Sequence, residues 1–101
     1  MTRNQPVPRI DKVRGAIRPI LREFGVKRAS VFGSVVRDDF SRRSDIDILV
    51  DLPEGSTLLD LIRLENELKG KLRRKVDLVT FDSIHPLLKQ TILAEQVPIF
   101  P

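Results

Sequence analysis

The chain contains no cysteine, no tryptophan and no tyrosine among its 101 residues. Without cysteine it can form neither a disulfide nor a thiolate metal site, which agrees with a reducing compartment. The aromatic residues are five phenylalanines, so the stacking platforms that single-strand nucleic-acid binders use are scarce. A pure nucleic-acid-binding module is therefore disfavoured, and the chain cannot be modified on a tyrosine of its own.

Apolar runs are short throughout the sequence. No run approaches the ~20 residues that a membrane-spanning helix needs. The opening stretch MTRNQPVPRI also lacks the apolar segment of a signal peptide. We therefore expect a cytoplasmic protein with no membrane contact. We expect one domain comprising residues 1–101, with the proline-containing residues 1–8 as a flexible lead-in.

The composition is basic and moderately apolar. Apolar residues make up 41% of the chain, which is enough for one compact core. The net charge of +4 and the isoelectric point near 10.0 favour an anionic partner or substrate. Nucleotide phosphates, nucleic acid and an acidic protein surface all satisfy that condition, and the charge alone does not choose among them.

Hydrophobic spacing predicts alternating helices and strands. The predicted order is helix 9–24, strand 27–32, a short helix or turn within 34–44, strand 45–52, helix 57–70, strand 76–81, a helix from 86 onward and an edge strand within 97–100. Pro19 predicts a kink in the first helix or its division into two short helices. With its short connections, this order predicts an α/β or α+β fold in which helices cover a small sheet.

The end signals of the last two helices are explicit in the sequence. Thr57 and Asp60 resemble a capping box, and Gly70 is the expected C-terminal cap of that helix. Ser83 or His85 is expected to cap the last helix, with proline in its first turn. The apolar residues expected to form the buried side of the helix after Thr57 are Leu58, Leu61, Ile62 and Leu68.

Acidic residues alternate with apolar ones in the strand 45–52. The even positions are apolar, whereas Asp45, Asp47 and Asp51 share the opposite face with Leu49. Asp77 lies in the same way within strand 76–81. Like charges on adjacent strands are destabilising unless a cation neutralises them. If Asp45, Asp47 and Asp77 converge, we therefore expect Mg²⁺ or a strongly basic partner beside them.

A Gly-Ser pair, Gly33 and Ser34, follows the first predicted strand, and ten residues separate it from Asp45. Such a turn can bind phosphate through its backbone N–H groups and its hydroxyl. Taken singly, the pair is ordinary turn chemistry, and alternating acids are more often a solvated strand face. Together with Asp77, the combination indicates metal-dependent phosphoryl or nucleotidyl transfer.

The segments FGS, SDIDILV and KVDLV, in this order and spacing, resemble the minimal nucleotidyltransferase domain of the polymerase-beta-like superfamily. The closing segment KQTILAEQVPIF resembles the end of that small family, so the resemblance covers residues 9–100. It implies a small mixed β-sheet flanked by helices. Stand-alone members of the family are typically antitoxins paired with a helical HEPN-type toxin, and some transfer AMP from ATP to a tyrosine of that toxin.

The resemblance implies a Mg²⁺-dependent enzyme that uses ATP and neutralises its toxin partner by adenylylation, with release of pyrophosphate. Gly33 and Ser34 would bind the β- and γ-phosphates. Asp45 and Asp47 would hold two Mg²⁺ ions. Asp77 would complete the shell of the catalytic ion and lie nearest the attacking hydroxyl.

The chain departs from the family pattern directly after the Gly-Ser pair. Many members continue with Arg-Ala-Arg-Gly, whereas this chain has Val35, Val36, Arg37 and Asp38. Arg37 keeps the last basic position and would contact a phosphate. The changes at Val35 and Asp38 leave a second interpretation open, a non-catalytic antitoxin that blocks its toxin by binding. Nucleic-acid binding through the basic surface is a third and weaker interpretation.

Several other polar residues have two interpretations each. Arg42 and Arg43 either contact phosphates or are exposed loop charges. The basic run 73–75 is either a solvated turn or a contact with an acidic partner. For His85 and Ser44 we predict structural roles, since His85 stands at a helix start and no basic residue is placed to activate Ser44.

Overall fold

The computed structural model describes residues 8–37 and 45–101. Its elements are α1 (Pro8–Glu23), β1 (Arg28–Phe32), a 3₁₀ turn (Gly33–Val35), β2 (Ile46–Asp51), α2 (Leu58–Leu72), β3 (Val76–Thr80), a second 3₁₀ turn (Phe81–Ser83), α3 (Pro86–Glu95) and β4 (Val97–Phe100). The predicted order of helices and strands is confirmed for this part of the chain. The expectations for residues 1–7 and 38–44 lie outside the described residues. No helix of the described ranges is long and apolar enough to cross a bilayer.

The strands form one mixed sheet in the order β3-β2-β1-β4. β2 runs antiparallel to β1 and parallel to β3, and β4 runs antiparallel to β1 at the other edge. The predicted α/β fold with a small mixed sheet and the predicted edge strand are therefore confirmed. The edge position also suits Pro98, which has no backbone N–H to give to a further strand.

One face of the sheet packs on α1 and α2. Side chains from both helices bury the inward face of the sheet in one cluster, whose central members are Ile17, Leu21, Ile48, Val50, Leu64 and Leu68. Each is fully buried, and burial of such a side chain contributes about 1.5–3 kcal/mol. The predicted alternation of strand 45–52 is confirmed, since Ile46, Ile48 and Val50 all lie in this cluster.

The opposite face of the sheet is covered in part by α3. Leu49 is fully buried there with Phe32 and Ile84, and Ile92 and Leu93 of α3 pack against them. The face that carries the acidic residues is therefore not wholly polar. A small second core holds α3 beside the end of the sheet where Asp47 lies.

The first helix excludes one of the two alternatives predicted for Pro19, the division into two helices, while the kink stays a prediction. Pro19 lies inside one α-helix that runs from Pro8 to Glu23, so the division into two short helices is wrong. Its ring is exposed, whereas the neighbouring Ile17 and Leu21 are fully buried. We attribute the continuity of the helix to this burial, which offsets the backbone hydrogen bond that proline cannot donate.

The buried side of α2 was also predicted incorrectly in part. Leu58 and Ile62 are 70% and 42% exposed, whereas Leu64 and Leu68 are completely buried. Leu61 is half-buried against the same cluster, so the side that faces the core repeats at Leu61, Leu64 and Leu68. The predicted residues have helical spacing, but the predicted buried side was wrong near the start of the helix. It included the exposed Leu58 and Ile62 and omitted Leu64.

The helix caps were predicted better than the helix faces. Thr57 and Asp60 form the capping box, with the Thr57 N–H donating to Asp60 Oδ2 at 2.9 Å. His85 caps α3 by accepting from the Leu87 N–H at 3.1 Å. Gly70 is not a cap, because α2 continues to Leu72 and ends at Arg73 in the left-handed conformation, with φ of 55°.

Candidate active site

The Gly-Ser turn follows β1 and lies against β2. Phe32 is the register partner of Asp47, so the next residue, Gly33, reaches the start of β2, where Asp47 is the second residue. Gly33 has φ of +74°, a conformation that favours glycine. A Cβ atom at this position would lie 3.1 Å from Asp47 Cγ and closer to Oδ2. The turn and the acidic strand therefore meet only because residue 33 has no side chain.

Two of the predicted carboxylates are neighbours on adjacent strands. Asp47 and Asp77 are register partners in the parallel pair β2–β3, so their side chains point to the same face. Asp47 is half-buried, whereas Asp77 and Asp45 are exposed. The turn and these acids thus lie at one end of the sheet.

The charges of this region act together on Asp47. The pKa of Asp47 is raised from its ordinary 3.8 to about 6, first by burial and then by the negative charges of Asp77, Asp45 and Glu95, while Arg37 acts in the opposite direction. A divalent cation bound beside close carboxylates would neutralise their mutual repulsion.

Whether this region can bind Mg²⁺ depends on the ligand atoms that its side chains supply. Carboxylate oxygens are the ligands that Mg²⁺ prefers, and it is usually bound through one or two of them together with substrate phosphates. Residues 8–37 and 45–101 contain no group of three acidic, histidine or cysteine side chains arranged to hold a metal ion by themselves. Asp47 with Asp77 or Asp45 therefore fits an ion that arrives with a nucleotide. That Asp45, Asp47 and Asp77 hold two ions stays a prediction.

Glu95, the last residue of α3, is the site residue that the sequence reasoning missed. Its Oε1 accepts a hydrogen bond from the Gly33 N–H at 2.9 Å, and its Oε2 accepts one from Arg37 Nη1 at the same distance. The topology explains the contact, because Val97 of β4 pairs with Val31 of β1. Residues just before β4 therefore lie beside residues just after β1.

The structure also describes Ser34 and Arg37, the two other residues that were predicted to bind the nucleotide. Ser34 is half-buried beside Gly33, and its hydroxyl forms no hydrogen bond with another described residue. Arg37 is exposed, with 53% of its side chain open to solvent. The residues in 38–44 to which we gave roles, Asp38, Arg42, Arg43 and Ser44, lie outside the described residues.

Two further features of the described residues lie away from the acidic group. The basic run 73–75 forms the turn between α2 and β3, and its Lys75 carbonyl accepts from the Ile46 N–H. A cavity of about 670 Å³ lies around residues 51–58 and 80–82, at the other end of β2. Since it contains none of the predicted site residues, we do not assign the site to it.

The sequence of the chain is similar to those of known nucleotidyltransferases. Residues 14–98 match the nucleotidyltransferase domain family. The chain is 52% identical over 90 residues to a candidate protein adenylyltransferase of Methanocaldococcus jannaschii, covering 89% of this chain and 97% of that protein. It is 43% identical over 89 residues to the protein adenylyltransferase MntA of Thermococcus cleftensis, covering 87% of this chain and 90% of the relative.

Solved structures share the fold. One, described as a candidate minimal nucleotidyltransferase, superposes with a TM-score of 0.78 at 35% identity and covers 96% of this chain and 99% of its own. A second, a toxin–antitoxin structure with AMP-PNP, gives a TM-score of 0.75 at 26% identity and covers 86% of this chain and 72% of its own. The mixed sheet with its flanking helices is thus the fold of a minimal nucleotidyltransferase.

Proposed function

The chain belongs to the nucleotidyltransferase domain family, and on this premise we propose that it is an antitoxin that transfers AMP from ATP to a tyrosine hydroxyl of a HEPN-type toxin. The protein adenylyltransferase name of the 43% identical relative supports the transfer. The toxin–antitoxin structure with AMP-PNP supports the nucleotide and a toxin as the partner, and the HEPN type of that toxin is what the sequence resemblance implies. In this proposal residues 1–101 form one such domain, which acts in the cytoplasm, where ATP is supplied.

The observation that carries the proposal is the meeting of Gly33 with Asp47 and of Asp47 with Asp77 at one end of the sheet. A turn that can bind phosphate and carboxylates that can bind a cation are both needed to hold a nucleoside triphosphate. In the proposed complex, Gly33 and Ser34 bind the β- and γ-phosphates, and the Arg37 guanidinium contacts a further phosphate oxygen.

Asp45, Asp47 and Asp77 would hold Mg²⁺, which supplies charge neutralisation for the triphosphate and lowers the pKa of the attacking hydroxyl. The tyrosine oxygen forms a bond to the α-phosphorus while the bond from the α-phosphorus to the α–β bridging oxygen breaks. Pyrophosphate leaves with that oxygen. The phenolic proton passes to the exposed carboxylate of Asp77 and from there to solvent. The residues contribute mainly positioning and charge, which is what in-line phosphoryl chemistry requires.

The proposal is tested by the intact mass of a HEPN-type partner after incubation with this protein, ATP and Mg²⁺. Asp47→Asn removes one charge with almost no change of shape, so we expect the variant to fold and to leave the partner unlabelled. Asp82→Asn is the matched control, because Asp82 is exposed outside the site and its variant should label the partner as the wild type does. Complete labelling by Asp47→Asn would contradict the proposal.

A second candidate function is neutralisation by binding alone. Val35 favours it, because this residue is fully buried in the core and presents no basic group to a nucleotide. If this candidate is right, Asp47→Asn still neutralises the toxin, and no mass from ATP is added to the partner by any variant.

A further inference from the structure

The contact between Glu95 and the Gly-Ser turn joins sequence positions 62 residues apart. One carboxylate accepts from both Gly33 and Arg37, the first and last described residues of the segment that follows β1. The Glu95 side chain is only 21% exposed, whereas that of Arg37 is 53% exposed. Glu95 therefore lies on the protein side of the turn, and the guanidinium lies toward solvent.

The backbone around Glu95 is fixed on both sides. The Gln96 N–H donates to the Ile92 carbonyl at 3.0 Å, which closes the last turn of α3. The chain then enters β4, which pairs with β1. Since β1 leads directly into Gly33, the same strand pair sets the positions of the carboxylate and of the turn that it binds.

We propose that Glu95 is a positioning residue, which holds the Gly33 turn and the Arg37 guanidinium in the arrangement that receives the triphosphate of the nucleotide. This inference rests on the proposed function and adds a residue to its nucleotide site. The N–H of Gly33 begins the 3₁₀ turn and has no partner within it, so a carboxylate acceptor fixes the turn. A free arginine side chain loses about 2 kcal/mol of rotamer entropy on ordering, and prior ordering by Glu95 lowers that cost when the nucleotide binds.

If Glu95 instead occupied the phosphate position and competed with ATP, its removal would change the nucleotide affinity in the opposite direction. A competitor must withdraw when the nucleotide arrives, and its removal would tighten binding. The mostly covered position of Glu95 on a fixed backbone favours positioning, because its side chain is only 21% exposed and each of its carboxylate oxygens already accepts a hydrogen bond, one from Gly33 and one from Arg37. Measurement of nucleotide affinity therefore separates the two roles.

The experiment measures AMP-PNP binding in the presence of Mg²⁺, and initial rates of partner adenylylation, for the wild type, Glu95→Ala and Glu95→Gln. With Glu95→Ala we expect the Kd for AMP-PNP and the KM for ATP to rise about tenfold, as for the loss of a charge-assisted hydrogen bond. We expect kcat at saturating ATP to change less than about threefold, because Glu95 acts on the nucleotide's binding groups and not on the reacting atoms. Glu95→Gln keeps one acceptor oxygen and should recover part of the affinity.

A double-mutant cycle with Arg37→Ala tests whether Glu95 acts through Arg37. Once Arg37 is absent, Glu95→Ala should raise KM much less than it does in the wild type. Glu67→Ala is the matched control, because Glu67 is exposed on α2 away from the site and its loss should leave KM unchanged. Amide hydrogen exchange at Gly33 gives a readout without substrate: it should accelerate in Glu95→Ala and not in the control.

The outcomes separate this inference from the proposed function. A wild type that adenylylates its partner while Glu95→Ala and Glu95→Gln keep the wild-type KM and Kd overturns the positioning role alone. Tighter AMP-PNP binding by Glu95→Ala overturns it in favour of competition. A wild type that neither binds AMP-PNP nor labels the partner overturns the proposed function, and the positioning role with it.

Discussion

Gly33 lies so close to Asp47 that the two positions cannot both carry a side chain in their present places. A Cβ atom at residue 33 would come within 3.1 Å of Asp47 Cγ and would overlap Oδ2. The glycine also has φ of +74°, which L-residues with side chains rarely adopt. Position 33 therefore needs glycine for two reasons, the backbone conformation of the turn and the space that the Asp47 carboxylate occupies.

Gly33→Ala should abolish adenylylation. The added methyl group would displace the Asp47 carboxylate, and the left-handed backbone would add strain of about 1–2 kcal/mol. We expect a fall of more than about a hundredfold in the rate of AMP transfer, since small displacements at a reacting centre have effects of that size. Partner labelling measures the rate, and thermal unfolding measures the lower stability.

Gly70→Ala is the matched control for that substitution. Gly70 lies within α2, and beyond its chain neighbours and the adjacent helix backbone no described atom lies within 4 Å of the position that its Cβ would take. The change should raise the free energy of unfolding by roughly 0.5–1 kcal/mol through helix propensity and leave transfer unchanged. Wild-type labelling by Gly33→Ala would show that the two positions separate in solution.

Asp47 should give the stability of the protein a distinct pH dependence. Burial and neighbouring carboxylates raise its pKa in the folded state to about 6, above its ordinary 3.8. The folded state therefore binds more protons than the unfolded state between these values, and this group's contribution to stability falls as the pH rises from about 4 to about 6. Because Asp47 is about half exposed, we expect a contribution on the order of 1 kcal/mol after solvent screening.

The measurement compares denaturant unfolding of the wild type and Asp47→Asn at pH 4 and at pH 7, without divalent cations. Asp47→Asn should be more stable relative to the wild type at pH 7 than at pH 4, because it lacks the repelled charge. Asp82→Asn, with its exposed carboxylate outside the site, should follow the wild type at both values. A constant difference between Asp47→Asn and the wild type would contradict the raised pKa.

The sequence was sufficient for β2 because the polar residues of this strand all lie on one of its faces. Ile46, Ile48 and Val50 alternate with acidic residues, and all three are buried as the alternation predicts. Leu49 could not be assigned in this way. It shares the acidic face but is fully buried under α3, a contact between distant segments that no local periodicity contains.

The sequence predicted that the residues of one motif come together in the fold. Gly33, Asp47 and Asp77 come together because β1, β2 and β3 are neighbours in the sheet. Glu95 was not predicted, because its place depends on the pairing of β4 with β1 and not on any spacing within the motif. The sequence does show an acidic residue just before the predicted edge strand. Only the strand order, however, places that residue beside the Gly-Ser turn.

The rotation of α2 gives a prediction about stability. Leu64 is completely buried, whereas Ile62, which we had expected on the buried side, is 42% exposed. Leu64→Ala should lower the free energy of unfolding by about 2–5 kcal/mol, through the lost transfer energy and the cavity that remains. Ile62→Ala should cost less than about 1 kcal/mol, and similar losses for the two variants in denaturant unfolding would contradict the orientation of the helix.

Divalent cations should stabilise the folded chain through the same carboxylates that oppose one another without them. Asp47 and Asp77 are register partners, and their negative charges repel each other. A Mg²⁺ ion bound there would be attracted by both carboxylates and would cancel their mutual repulsion. At a concentration about ten times its Kd, a bound ion adds roughly 1.4 kcal/mol to the free energy of unfolding. For a chain of this size that gain raises Tm by about 5–10 °C.

Thermal unfolding at pH 7.5 with and without Mg²⁺ measures this gain, and EDTA should reverse it and stop adenylylation. Asp47→Asn should lose most of the Mg²⁺-dependent rise in Tm, whereas Asp82→Asn should keep it. An equal rise in all three proteins would place the ion elsewhere on the surface. Adding AMP-PNP should enlarge the Asp47-dependent rise, because its phosphate oxygens supply the remaining ligands of the ion.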